Sequence, residues 1–416
     1  MANACGVDFG TSNSTVGLCR PGVAALLPLE NDKPTLPSAV FFNAEDDQVS
    51  YGRAALVNYL AGHEGRLMRS LKSLLGTTLI DGQTEVLGKA LPFRLLLSQF
   101  IGELKRRAEV ASGQRFSSAV IGRPVFFIDG DTQADRQAEQ TLREIAQASG
   151  FRDIAFQFEP IAAAFDYESQ IDREELVLVA DIGGGTSDFS LIRLSPQRAL
   201  ATERGSDILG NGGVHIGGTD FDKYLSLAAV MPLLGLGSRL INDTEVPSAY
   251  YFNLATWHTI NLAYTQKIWL QLKDVVRDAR ERDKLARLQD LIRQRNGHWL
   301  AMQVEEGKIA LSQAGTVQMN LDRLSPPEQL NLQRDDFDAA IAHLLGKVAL
   351  TVAALLRDAG VAATQVDTVF FTGGSSGVGA LRRQIARLVP GARQIEGDLF
   401  GSIGTGLGLD ALRRFG

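Results

Sequence analysis

Short apolar runs bounded by glycine, proline and asparagine open the chain, and longer stretches with apolar residues at helical spacing follow them. The pattern predicts strands at 4–9, 14–19 and 24–27, and a fourth at 38–42 after the Pro34/Pro37 turn region. It then predicts helices at 52–61, at about 66–75 and at 91–111, a short strand at 118–121 and a helix at 132–149. Residues 151–158 lead into Glu159-Pro160 and an alanine-rich helix at 161–167. From there the order returns. Strands are predicted at 176–181, 188–193 and 199–205, followed by a large helical insertion from Asp220 to about Ser312. A helix at 334–359, a buried strand at 368–372, a helix at 378–388 and a glycine-rich helix at 401–409 complete the pattern. Strands alternating with helices indicate an α/β architecture.

The repeat extends to individual residues. Val7-Asp8-Phe9-Gly10-Thr11-Ser12-Asn13 returns in altered form as Ala180-Asp181-Ile182-Gly183-Gly184-Gly185-Thr186. Each copy ends an apolar strand on an aspartate, turns on glycine, and enters a second apolar strand. A polyphosphate needs backbone N–H donors at close range, which glycine permits, and the hydroxyls of Thr11, Ser12 and Thr186 add donors. Asp8 and Asp181 would repel phosphate and suit an oxygen-ligated Mg²⁺ instead, held through its retained waters. A third glycine turn, Gly373-Gly374-Ser375-Ser376, follows the buried strand around Phe370 and suits the floor of a nucleoside site.

Composition narrows the picture. With 416 residues the chain exceeds one ordinary core, which predicts two domains or a duplicated architecture with insertions. A net charge of −6 without a basic tract argues against nucleic acid and anionic lipid as partners. The first residues lack the basic and apolar regions of a secretory signal, and the apolar stretch 225–238 is shorter than the roughly 20 apolar residues of a membrane span. The expected location is the cytoplasm. Cys5 and Cys19 read as buried small hydrophobes, and the five histidines have no zinc-ligand spacing. Residues 275–295 read as a solvated insertion helix with a Leu285, Leu288, Leu291 and Ile292 stripe and an Asp283/Arg287 pair. Tyr250-Tyr251-Phe252 and Trp257-His258 read as an aromatic mini-core, with a recognition surface as the alternative.

Several segments occur in an order that resembles one family. These are Asp8 to Ser14; Lys72-Ser73-Leu74-Leu75-Gly76; Pro124; Glu159-Pro160-Ile161-Ala162-Ala163-Ala164; Asp181 to Thr186; His215-Ile216-Gly217-Gly218-Thr219-Asp220; Glu305 with Lys308 and Ser312; and Gly373-Gly374-Ser375. Together they resemble the ATPase domain of the seventy-kilodalton heat-shock chaperones of the DnaK type, within the actin, sugar-kinase and heat-shock ATPase superfamily. The resemblance implies a duplicated ribonuclease-H-like (actin-like ATPase) fold, with two lobes and a central nucleotide cleft. The halves would be residues 1–173, with an insertion at about 43–112, and 174–416, with one at about 220–312. It implies ATP or ADP with Mg²⁺ as ligands, and slow ATP hydrolysis. Lys72 would contact the γ-phosphate, and Glu159 would orient or deprotonate the attacking water. Thr186 would join the catalytic group, and Asp8, Asp181 and Asp188 would organise Mg²⁺. Gly10, Thr11, Ser12, Asn13, Gly183, Gly184, Gly185, Gly217 and Gly218 would hold phosphate, while Glu305, Lys308, Ser312, Gly373, Gly374 and Ser375 would hold adenosine.

Departures accompany the resemblance. Gly377 stands where the family has an adenine-stacking arginine, and the acid before the last helix falls nearest to Phe400, with Asp398 fitting only after a shift. The 124–136 segment is longer than the family's, which weakens a relay through Pro124 and Arg136. The resemblance lacks the family's peptide-binding domain and is nearest to its YegD-type branch, so a client or partner protein is expected to dock on the ATPase itself. A small-molecule kinase and an actin-like filament protein of the same fold remain open alternatives.

Overall fold

The computed structural model describes residues 3–20, 23–86, 88–128, 131–201, 203–398 and 401–416. Two five-strand paths share one topology. The first runs Asp153–Phe158, Ser118–Arg123, Ala4–Phe9, Asn13–Arg20, Val23–Leu26, with Leu36–Pro37 added beside the fourth strand. The second runs Arg393–Glu396, Thr368–Thr372, Glu175–Ile182, Ser187–Leu194, Ile208–Val214. In each, the central strand pairs antiparallel with the strand that follows it and parallel with one far along the chain. Parallel pairing requires a helical crossover, which is why helices separate these strands in sequence. The duplication read from the aspartate-glycine motifs is therefore a duplication of sheets.

The cores follow from the patterning. Phe9, Phe100, Leu104, Ile121 and Leu142 bury one face of the first sheet against helices Phe93–Ser112 and Thr132–Ala148. Ile161, Phe165, Val177, Val179, Phe370 and Leu407 form a second cluster, which joins helix Glu159–Glu168 and the final helix Ser402–Phe415 to strands of both sheets. Continuous apolar runs such as Val177 to Ala180 are explained by burial on both faces.

Packing divides the chain into two compact units, one comprising Met1–Gly213, Val352–Ser376 and Ala386–Gly416, the other Val214–Thr351 and Gly377–Ile385. Both sheets above belong to the first. In the second, helix Gly218–Leu225 packs on helix Gly297–Gln313, which packs on the hairpin Thr316–Leu321/Glu328–Gln333. The 25-residue helix Arg334–Asp358 is long and apolar enough to cross a membrane, but its stripe of Phe337, Ile341, Leu344, Val348 and Val352 is buried within the fold.

Several predicted elements are corrected. The helix expected at 66–75 is a strand, Gly65–Arg69, followed by a 3-10 turn, Leu71–Leu74, because the strand pairs with Ala39–Asn43 and that ladder outweighs a short amphipathic pattern. The strand expected at 199–205 lies later, at Ile208–Val214, and Arg198–Leu200 is a 3-10 turn. The insertion helix expected at 275–295 is two helices, Gln266–Asp278 and Arg282–Arg293, with the extended Ala279 between them. Its stripe Leu285, Leu288, Leu291 and Ile292 is buried, and Arg287 pairs with Glu328 at 2.6 Å, not with Asp283. Tyr250 and Tyr251 are buried, as an aromatic mini-core requires, while Phe252 is exposed. The side chain of His258 and all of Phe400 lie outside the described residues. Cys5 and Cys19 are both buried and unbridged.

Candidate functional site

Five charged side chains from both repeats converge in the first unit. Asp8 is the last residue but one of the strand Ala4–Phe9, and Asp181 stands at the matching place on Glu175–Ile182. Antiparallel register sets Asp188 directly opposite Asp181, and Thr15 opposite Asp8. Opposed residues on neighbouring strands have Cβ atoms roughly 5 Å apart, so the Asp181/Asp188 pair is a built-in repulsion that calls for a cation. Lys72 reaches in from the turn Leu71–Leu74, and Glu159 from the first turn of Glu159–Glu168. The Lys72 Nζ donates to Glu159 Oε1 at 2.5 Å, and both side chains are about nine-tenths covered.

The two glycine loops also meet. A Cβ on Gly184 would lie 2.1 Å from Ser12 Oγ, so the bare glycine lets the second loop meet the first with the Ser12 hydroxyl between them. Thr186 Oγ1 donates to Asp188 Oδ2 at 2.7 Å, and its carbonyl accepts from the Gly183 amide at 2.9 Å, closing the second loop. The first loop is braced from a third segment: the Ser38 hydroxyl donates to the Gly10 carbonyl at 2.6 Å, and the Ser38 amide to the Ser12 carbonyl at 2.8 Å. Thr11, Asn13 and Gly185 lie on these same turns and are partly exposed. Gly373 has φ of 80°, and a Cβ there would fall 2.4 Å from Asp181 Oδ1, so this glycine turn closes directly against the second aspartate. Gly374 and Ser375 continue it as a 3-10 turn.

Electrostatics follow from crowding. Removal from water raises the Asp8 carboxyl to about 7, with Glu159 adding repulsion and Lys72 opposing it. Asp181 is raised well above its ordinary value by desolvation and then by Asp188, Glu159 and Asp8. For Lys72 desolvation favours the neutral amine, but the carboxylates of Glu159, Asp8 and Asp181 outweigh it and raise its pKa. Four carboxylates thus face one ammonium.

This imbalance predicts a pH dependence. The unfolded Asp8 carboxyl loses its proton near its ordinary value, whereas the folded one holds it to about 7. Between about pH 4 and pH 7 the folded state binds more protons than the unfolded one, so ligand-free stability falls as pH rises. Asp8→Asn is expected to flatten that fall, with a gain on the order of 4 kcal/mol above neutrality. Thermal melts of both proteins across this range check it; parallel curves would remove Asp8 as the cause.

The residues fit a hydrated divalent cation. The donors are acceptor-only carboxylates in excess of basic groups, and their raised affinity for protons marks a site where positive charge is wanted. Among the described residues no three His, Cys, Asp or Glu side chains are placed to ligate one ion directly.

The second unit carries the other expected residues. Glu305, Lys308 and Ser312 share one face of helix Gly297–Gln313 at i, i+3 and i+7. The Lys308 ammonium pairs with Asp222 at 2.8 Å and donates to the Gly218 carbonyl at 3.2 Å, tying this helix to the turn at Gly217 and Gly218. Ser312 Oγ donates to the Ile309 carbonyl at 2.6 Å. Thr15 and Ser38 were missed in the sequence. Hairpin register would have placed Thr15 opposite Asp8, whereas nothing local marks the contact between Ser38 and Gly10.

Comparisons with known proteins place the chain in a family. The family model described as Hsp70 protein matches residues 4–230 and 275–397. The chaperone protein HscA homolog of Azotobacter vinelandii is 28% identical over 435 residues, covering 98% of this chain and 58% of that protein. The HscA homolog of a Shewanella species is 27% identical over 433 residues with the same coverage, 98% and 58%. That of Pseudomonas paraeruginosa is 33% identical over 245 residues, covering 54% of this chain and 36% of that protein. The chain thus spans little more than half the length of the first two relatives.

Proposed function

The chain belongs to the Hsp70 protein family, and from that premise we propose that it binds Mg·ATP and Mg·ADP and hydrolyses ATP slowly, as a nucleotide-switched, chaperone-type ATPase. The observation that carries this reading is the convergence of Asp8, Lys72, Glu159, Asp181 and Asp188 beside two glycine loops that touch at Ser12 and Gly184. In this reading the loop amides and the hydroxyls of Thr11, Ser12 and Thr186 take phosphate oxygens. Asp8, Asp181 and Asp188 hold the hydrated Mg²⁺, which when bound offsets phosphate charge. Lys72 exchanges part of its bond to Glu159 for the γ-phosphate. Glu159, held by that same bond, then orients the attacking water and accepts its proton. The Gly373 to Ser375 turn is assigned to the nucleoside; in the second unit Glu305, Lys308 and Ser312 are assigned to nucleotide contact, with Lys308 acting from its pair with Asp222. The nucleotide state would be read by a protein partner or client.

Titration calorimetry of the purified chain with Mg·ATP and Mg·ADP tests this directly. Saturable binding that disappears on EDTA addition, together with phosphate release in the presence of magnesium, is expected. Absence of binding for both nucleotides would end the proposal, and a burst of ADP that requires an added sugar would replace it with a kinase.

A further inference from the structure

A concavity of about 620 Å³ in the first unit, away from the charged cluster above, is lined by Arg143, Arg152, Arg413 and Arg414, with Asp153 as its one acidic residue and Phe415 beside them. The four guanidinia come from separate places. Arg143 lies on helix Thr132–Ala148, Arg152 in the turn before strand Asp153–Phe158, and Arg413 and Arg414 in the last turn of Ser402–Phe415. Two are held internally. Arg143 donates to the Ile154 carbonyl at 2.6 Å and stands 3.9 Å from Glu139, and Arg414 pairs with Asp410 at 2.9 Å and with the exposed Glu203 at 3.1 Å. Arg413 lies over the Phe165 ring at 4.7 Å, a contact that leaves its charge unneutralised. Among the described residues neither Arg152 nor Arg413 forms an ion pair.

Asp153, the acid in the lining, also accepts from the Ser118 hydroxyl at 3.1 Å. Four like charges around one hollow, two of them without a counter-ion, repel unless an anion enters. We propose that this concavity binds a small, multiply charged anion of the phosphate class. Guanidinium forks match phosphate oxygens in pairs, and forks arriving from three elements suit a compact oxyanion that accepts on several sides at once. An acidic strand would instead present its carboxylates roughly 7 Å apart along a line, on one face only. The site is independent of the hydrolase reading.

Inorganic pyrophosphate is the probe, followed by calorimetry on the intact chain at low salt. Arg152→Glu combined with Arg413→Glu is expected to weaken binding on the order of tenfold or more, while Lys72→Ala, which alters the other site, leaves this binding event in place. Both arginines are exposed, and Arg152→Gln with Arg413→Gln provides a gentler pair should charge reversal disturb folding. Unchanged pyrophosphate affinity in the paired variants overturns the proposal. So does tighter binding of a hexaglutamate peptide than of pyrophosphate, which would make this an acidic-peptide surface.

Discussion

Glu159→Gln is expected to leave Mg·ATP binding within a few-fold of the wild type and to slow ATP hydrolysis by about 10²-fold or more. Glutamine keeps the shape of the side chain and can still meet Lys72 through its carbonyl oxygen. What it loses is the negative charge that would take a proton from water. Glu159 suits that role because its carboxylate is held at 2.5 Å by Lys72 and because Asp8 and Asp181 supply other acceptors for a cation. Lys72→Ala should differ in kind. It removes the single ammonium among four carboxylates, so both affinity and turnover should fall, and Asp8 should titrate still higher once its opposing charge is gone. Single-turnover hydrolysis with separately measured nucleotide affinity distinguishes the two. A Glu159→Gln protein that folds and hydrolyses ATP at the wild-type rate would remove Glu159 from the chemistry.

How much of this was legible in the sequence depended on whether local pattern or distant pairing decides each element. Thr368–Thr372 was readable to the residue because five consecutive apolar or β-branched side chains between turn residues admit little else. The 66–75 segment was not, since Leu67, Met68, Leu71 and Leu74 satisfy a helical stripe, and only pairing with Ala39–Asn43 selects the strand. Ile208–Val214 contains three glycines among seven residues, which erases the alternation that would announce it, and Ser187–Leu194 beside it supplies the ladder. The same division holds at the site. Asp8 and Asp181 were legible because the motif repeats, whereas the bracing of Gly10 by Ser38 spans 28 residues and has no sequence signature.

Packing also explains why so charged a centre can stay folded without ligand. The two carboxylates most strongly raised, Asp8 and Asp181, sit on central strands of separate sheets, each bonded to neighbours on both sides. Strands fixed in this way cannot relax to separate like charges, so repulsion appears as proton uptake instead of movement. A cation and phosphate would then discharge a strain that the fold maintains, and binding should stabilise the protein by mass action.

Arg204→Ala is expected to cost about 3–5 kcal/mol of stability, the largest loss we anticipate from any single polar substitution. Arg204 is wholly buried, as is Glu168, and their two hydrogen bonds of 2.8 Å form a bidentate fork. Its Nε also donates to Asp207. Without the guanidinium, Asp207 retains Arg198 at 2.6 Å, but among the described residues Glu168 keeps only the Ser195 amide at 3.0 Å and becomes a buried charge without a counter-ion there. The asymmetry matters: the intact pair need contribute little net stability, whereas breaking it strands its partner. Replacing both members, Arg204→Met with Glu168→Leu, should therefore recover much of the loss. Arg198→Ala, at a partly exposed position, should cost no more than about 1 kcal/mol. Denaturant unfolding of the four proteins checks this. An Arg204→Ala midpoint indistinguishable from that of Arg198→Ala would show that the buried fork is not what holds helix Glu159–Glu168 to the loop before Ile208–Val214.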